Sequence, residues 1–194
     1  SSDLHLIFGV SPMVRTQGKL TVIPGTEKLT KETVKALVLS LMRPDQQKVF
    51  LKEKELDFSV DLPGLARFRV NTYFQRGTMA AALRHVPSKI LSIDELGLPP
   101  VCHSIAKLKQ GFVLVTGPTG SGKSSTLAAI IDEINQTRSE HVVTVEDPVE
   151  FVFENKKSVI SQRELGGDTM SWEKALKSVL RQDPDVVLVG EMRD

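Results

Sequence analysis

Residues 117–124 read Gly-Pro-Thr-Gly-Ser-Gly-Lys-Ser, the G-x-x-x-x-G-K-[ST] spacing of a loop that cradles phosphate. Gly117, Gly120 and Gly122 let the backbone turn so that successive N–H groups face one anion. Pro118, Thr119 and Ser121 complete the cradle, and Ser125 follows it into a helix. Lys123 brings a point charge for the β- and γ-phosphates, and the Ser124 hydroxyl is a hard oxygen donor suited to Mg²⁺. The chemistry these types and spacings imply is binding of a nucleoside triphosphate with magnesium.

Two acidic groups further on extend that chemistry. Asp185-Val186-Val187-Leu188-Val189-Gly190-Glu191 is an apolar strand ending in a carboxylate, a Walker B arrangement that sets negative charge beside the metal. Its acid is a glutamate after glycine rather than the commoner aspartate, which favours contact through a metal-bound water. Glu146-Asp147-Pro148-Val149-Glu150-Phe151 follows the apolar stretch 142–145, and one of its three carboxylates is placed to orient or deprotonate an attacking water.

These groups need a scaffold, and the flanking patterns predict one. Phe112–Thr116 reads as a buried parallel strand leading into the loop, and 123–136 reads as the helix leading out. Strands at 142–146 and 186–189, with a helix at 171–182, continue a βαβ rhythm and imply a parallel sheet covered by helices. Ligands in such sheets sit beyond the carboxyl ends of the strands, where both acidic groups fall.

Before residue 90 the texture differs. Short strands are expected at 4–8, 13–16 and 20–23. A helix capped by Thr30 follows, with Val34, Leu37, Val38 and Leu41 on one face, and a second begins at Pro44 and runs to about Lys54. Residues 56–62, 66–74 and 78–86 read as antiparallel strands. A turn centred on Arg76-Gly77 pairs residues whose numbers sum to 153, so Val70 faces Leu83 and Arg69 faces Arg84. Opposed like charges are destabilising unless something offsets them, and a phosphate anion is the natural candidate. The expected organisation is an α+β domain at 1–87, a linker at 88–98 and an α/β nucleotide-binding domain at 99–194. Only three parallel strands of that second domain precede Asp194, so the sequence is expected to stop inside a larger protein.

Composition narrows the field. The 194 residues hold 25 Lys+Arg against 24 Asp+Glu, a net charge of +1, which offers no broad electrostatic footprint for nucleic acid. The single cysteine, Cys102, cannot form an internal disulfide and reads as a small buried residue in a reducing compartment. No apolar run approaches the ~18 residues of a membrane span, and His5, His85, His103 and His141 show no metal-ligand spacing. Trp172 reads as packing.

Five stretches carry a family resemblance: Ser2-Asp3-Leu4-His5-Leu6, Arg67-Phe68-Arg69-Val70-Asn71, Thr116–Ser125, Glu146–Phe151 and Gly190-Glu191-Met192-Arg193-Asp194. Together they resemble the secretion ATPase superfamily, and most closely the type IV pilus retraction (twitching motility) ATPases of the PilT type. The resemblance implies a PAS-like N-terminal domain and a RecA-like P-loop domain, truncated here after the Walker B strand, in a homohexameric ring. It implies that Glu150 is the catalytic glutamate, that Glu191 is the Walker B glutamate, and that Arg69 and Arg84 reach nucleotide at subunit boundaries. It further implies ATP and Mg²⁺ as ligands and an inner-membrane platform protein and the pilus base as partners, with no nucleic acid. The expected location is cytoplasmic, peripheral at the inner membrane. The family's His box falls beyond Asp194. Alternatives are a pilus-assembly or type II secretion ATPase of the same superfamily, a non-hydrolysing nucleotide switch and a nucleic-acid translocase. The acids at 150 and 191 argue against the switch, and the near-neutral charge argues against the translocase.

Overall fold

The computed structural model describes residues 3–62, 66–87 and 89–191. Ser2 and Met192–Asp194, parts of two of the motif stretches above, and Ser88 of the expected linker lie outside them. The chain divides into two compact units, 1–86 and 87–194.

The first unit is one antiparallel sheet of six strands with two helices. β1 (Asp3–Ile7), β2 (Met13–Thr16), β3 (Lys19–Val22), β4 (Glu55–Leu62), β5 (Ala66–Gln75) and β6 (Thr78–Val86) lie in the order β3-β2-β1-β6-β5-β4. The β5–β6 turn uses Arg76 and Gly77, both with positive φ, the conformation two-residue hairpins favour because its twist matches the strands. The register that follows pairs Val70 with Leu83, Thr72 with Ala81 and Arg69 with Arg84. Alternation along the strands then puts Val70, Leu83 and Ala81 into a core.

α1 (Lys31–Ser40) starts where the Thr30 hydroxyl accepts from the Thr33 amide, and it buries Val34 and Val38 completely. Leu37, expected on the same face, stays 39% exposed. α2 (Pro44–Glu53) starts on its proline, whose missing N–H costs nothing there, and drives Phe50 into the core against Phe74 at 5.1 Å.

The second unit has a parallel sheet of three strands: β7 (His141–Glu146), β8 (Val159–Glu164) and β9 (Val186–Val189), in the order β8-β7-β9. Successive residues of the central strand face opposite sides. Val142 packs with Ile130, Ile134, Cys102 and Ala106 from α4 (Lys123–Thr137) and α3 (Val101–Ala106), whereas Val143 and Val145 pack with Ala175, Val179 and Trp172 of α5 (Trp172–Val179). Ile93, 1% exposed, Leu96 and Leu98, from the segment expected as a linker, sit in the first of these cores.

Two corrections apply to this unit. Residues 112–116 are not a strand: among the described residues nothing pairs with them, and Phe112 and Leu114 are 81% and 59% exposed. An apolar run reports a preference for burial on both faces, but a ladder exists only where a neighbouring strand supplies it. The third strand is instead β8, whose Val-Ile-Ser-Gln-Arg-Glu sequence has too little apolar periodicity to announce itself.

Candidate functional site at the carboxyl edge of the parallel sheet

The glycine-rich loop delivers Lys123 as the first residue of α4, with Gly122 in the preceding cap position. Gly117, Gly120 and Gly122 have φ of +153°, +79° and +91°, a region that L side chains rarely adopt. A Cβ on Gly117 would also lie 2.7 Å from Ser121 Oγ, which would have to rotate away, so it is the backbone conformation that calls for glycine there. The Lys123 ammonium folds back across the loop and donates to the Gly117 and Pro118 carbonyls, both at 2.9 Å. Ser124 is exposed in the first turn of the helix, where free amides and the helix dipole favour an anion.

The other end of α4 shows which way the helix points. Asn135, fully buried, donates from Nδ2 to the Glu154 carbonyl at 2.8 Å and accepts the Lys156 amide on Oδ1 at 3.1 Å. The Ser158 hydroxyl donates to the Arg138 carbonyl at 2.8 Å, just before β8 begins. The C-terminus of α4 is therefore at the edge where the parallel strands start. Fifteen residues at about 1.5 Å each span the sheet, because six strand residues cover about 20 Å. Lys123 and Ser124 consequently lie at the carboxyl edge.

That edge is rich in carboxylates held by specific contacts. β7 ends in Glu146, which shares the α4 face of the sheet with Thr144 by strand alternation. Glu146 is buried; Oε1 accepts from the Thr144 hydroxyl at 2.7 Å and from Gln162 Nε2 at 3.3 Å, and Oε2 accepts the Glu150 amide at 3.2 Å. Burial pushes its carboxyl above the usual value of 4.5, and these three hydrogen bonds only partly counter the shift. β8 ends in the buried Glu164, whose Oε2 accepts the Val149 amide at 3.1 Å.

Two strand-end carboxylates thus hold successive amides of the β7–β8 loop, turning Val149 into the interior and leaving Glu150 exposed. Gln162 fixes the next part of the loop, donating to the Phe151 carbonyl at 2.8 Å and accepting the Phe153 amide at 2.9 Å. Lys156 closes it with an ion pair to Asp132 of α4 at 2.7 Å.

β9 ends beside β7: the Gly190 amide donates to the Val145 carbonyl at 2.8 Å. A Cβ on Gly190 would come within 3.1 Å of Glu146 Cγ and 3.3 Å of its Cα, so glycine lets Glu191 follow directly alongside the end of β7. Ser125 of α4 and Phe151 of the β7–β8 loop line one open cleft of about 270 Å³, which brings the phosphate loop and the Glu150 loop to the same place. Among the described residues no group of three or more His, Cys, Asp or Glu is arranged to hold a metal. Magnesium, however, needs only one or two protein oxygens when phosphates and water supply the rest, and a serine hydroxyl with a carboxylate is a donor set that fits it.

Arg69 and Arg84 lie in the first unit, opposed as their register requires. Arg84 is paired on its other side with Asp3 of β1, whose carboxylate accepts from Arg84 Nε at 2.8 Å. The repulsion for which the sequence predicts an external anion is offset at Arg84 by a protein carboxylate. Motif reading also passed over Gln162 and Glu164, which position the Glu150 loop. They lie in the strand with no apolar run, and what marks them out is their hydrogen bonds to the loop, Glu164 being buried and Gln162 half-buried.

A glycine-rich loop opening a helix over a parallel sheet, with acids at the neighbouring strand ends, defines the class: a mixed α/β chain of the phosphate-binding-loop type. Residues 34–194 match the family described as Type II/IV secretion system protein, and the chain belongs to it. Over its whole length it is 48% identical to the type IV pilus retractation ATPase PilT of Pseudomonas aeruginosa, covering 56% of that protein. It is 50% identical to a twitching motility protein of Neisseria gonorrhoeae, covering 51% of it. The crystal structure of the pilus retraction motor PilT with bound ADP superposes with a TM-score of 0.95 at 45% identity, over all of this chain and 56% of that one. The chain thus spans about half the length of these relatives, and the resemblance read from five motifs extends through its whole length.

Proposed function

We propose that this chain is the nucleotide-hydrolysing portion of a ring-shaped motor that powers type IV pilus retraction, with ATP as substrate. The observation that carries the reading is the placement of the phosphate loop and the Glu150 loop around one cleft at the carboxyl edge of the sheet. The names of the relatives, a pilus retractation ATPase and an ADP-bound retraction motor, support it. In this reading residues 1–87 form a PAS-like domain, 88–98 a linker and 99–194 part of a RecA-like ATPase domain.

The loop amides of 117–124 and Lys123 hold the phosphates, Lys123 exchanging its two carbonyl contacts for phosphate oxygens. Ser124, and Glu191 through water, would hold Mg²⁺, which supplies neutralising charge at the β- and γ-phosphates. Glu150 orients the attacking water and accepts its proton; the Glu146 and Glu164 contacts to the adjacent amides keep its backbone in place. Arg69 and Arg84 serve the nucleotide of a neighbouring subunit in a homohexamer. Such a motor works at the cytoplasmic side of the inner membrane on a platform protein at the pilus base. Among the described residues no helix is long and apolar enough to cross a membrane.

The test is ATP turnover and ATP binding of the full-length protein with Glu150→Gln. Binding should persist while turnover falls by about 10²–10⁴, the range for loss of a general base. Undiminished turnover would remove Glu150 from the role.

A further inference from the structure

We propose that Glu146 is a positioning residue that ties the Glu150 loop to the strand end leading into Glu191, so that one buried side chain sets both acids of the site. The inference rests on the reading of Glu150 as the base and adds what couples that base to the acid on the metal side.

Two separate contacts meet on Glu146. Its carboxylate accepts the Glu150 amide on Oε2 at 3.2 Å, while the Thr144 hydroxyl and Gln162 Nε2 fix Oε1 at 2.7 and 3.3 Å. Its stem is the surface on which β9 ends. A Cβ on Gly190 would meet Glu146 Cγ at 3.1 Å, Cα at 3.3 Å and Cβ at 3.4 Å, and these are the three atoms nearest to it. Gly190 does not have a positive φ, so its backbone would accept a side chain. What leaves no room for one is Glu146.

The link is stiff. Glu146 is 6% exposed, and three hydrogen bonds hold its carboxylate in one arrangement. A close-packed interior passes a small shift on rather than absorbing it. A shift at Gly190 therefore travels through the stem and carboxylate of Glu146 to the Glu150 amide. A misplacement of about 1 Å can cost about 10²-fold in rate, so this link matters to turnover before it matters to binding.

Substitutions in the full-length protein separate the two contacts. Glu146→Met keeps a stem against Gly190 and removes every acceptor. Its kcat for ATP should fall about 10–100-fold while ATP affinity stays within about threefold. Glu146→Gln should recover most of that loss. Its amide oxygen can face the Glu150 N–H while the Thr144 hydroxyl accepts from its nitrogen, and Gln162 keeps the Phe151 carbonyl. Gly190→Ala keeps the carboxylate and presses on the stem. It should lower kcat about 3- to 10-fold alone, but less than about twofold when combined with Glu146→Met, because the route to Glu150 is then already cut. In the nucleotide-free protein, residues 148–153 should exchange deuterium faster in Glu146→Met and in Gly190→Ala than in the wild type.

Turnover of Glu146→Met within about threefold of wild type would overturn the proposal, as would equal losses of turnover and affinity. So would no recovery in Glu146→Gln, a Gly190→Ala loss undiminished in the double variant, or unchanged exchange. If Glu146→Met does not fold, Thr144→Val takes its place by removing the hydroxyl that fixes Oε1. Its kcat should then fall about 3- to 10-fold at unchanged affinity, and an unchanged kcat overturns the proposal. Wild-type turnover in Glu150→Gln removes the base reading and this inference with it. An inactive Glu150→Gln beside a fully active Glu146→Met removes this inference alone.

Discussion

The antiparallel sheet of the first unit and the parallel sheet of the second were unequally visible in the sequence, and the difference follows from how each is built. In the first, except where β1 meets β6, neighbours in space are consecutive in sequence: β4, β5 and β6 follow one another, and a single turn at Arg76-Gly77 dictates nine residue pairs. In the second, strands separated by loops and helices come together as β8-β7-β9, so no local pattern says which runs will pair. The first region stores its information in register, the second in long-range hydrogen bonds to loops. Substitutions that respect or violate that division sharpen the contrast.

The largest effect should come from Phe50→Ala, which empties a fully buried position against Phe74 and should cost about 3–5 kcal/mol in denaturant unfolding. The same change at Phe112, 81% exposed, should stay within about 0.5 kcal/mol for the 194-residue chain. Equal costs would show that 112–116 pairs as a strand after all. Next, Asn135→Ala strands the Glu154 carbonyl and the Lys156 amide of the β7–β8 loop and should cost about 2–3 kcal/mol. Because those bonds brace the loop that carries Glu150, hydrogen exchange of residues 150–157 should quicken more than that of the first unit. Gly190→Ala must move Glu146 or the end of β9 by a few tenths of an ångström, and about 1–3 kcal/mol is expected.

The smallest effects concern pH, and they have definite signs. His103 donates or accepts between Glu133 at 2.7 Å and Asp94 at 3.3 Å, and these carboxylates raise its pKa above 6.5. A raised histidine contributes stability that is fully present below 6.5 and is lost as pH rises through the folded value. Melting temperature should therefore fall slightly from pH 6 to pH 8, and His103→Gln should flatten that slope. The buried Glu146 carboxyl is also raised, so its ionisation opposes folding: its contribution is full below 4.5 and shrinks as pH rises through the folded value. Carbon-13 NMR of its carboxyl checks the direction: a midpoint above 4.5 is expected, and one at or below 4.5 contradicts it.

Legibility in the sequence tracked these physical differences residue by residue. Thr30, Pro44 and the 153-sum register could be read because caps, prolines and tight turns act on their immediate neighbours. The phosphate loop was legible for the same reason, since its glycines answer to local backbone geometry. Phe112–Thr116 misled because an apolar run states what a segment would bury, not whether a partner strand lies beside it. Gln162 and Glu164 went unnoticed because their importance consists of bonds to residues 146–153, which no spacing rule encodes. The charge balance at Arg84 depended on Asp3, 81 residues away, and so lay beyond a two-strand argument.

The central claim is that the 117–124 loop and the carboxylate-braced edge form one nucleotide site. The most direct measurement is ATP affinity with Mg²⁺, by isothermal titration of the full-length protein, for the wild type and Lys123→Ala. The account predicts one site per chain and a loss of about tenfold or more on removing the charge-assisted phosphate contacts, about 1.5–3 kcal/mol. An affinity unchanged by the substitution would contradict it, because a nucleotide that ignores Lys123 is not lying on this loop.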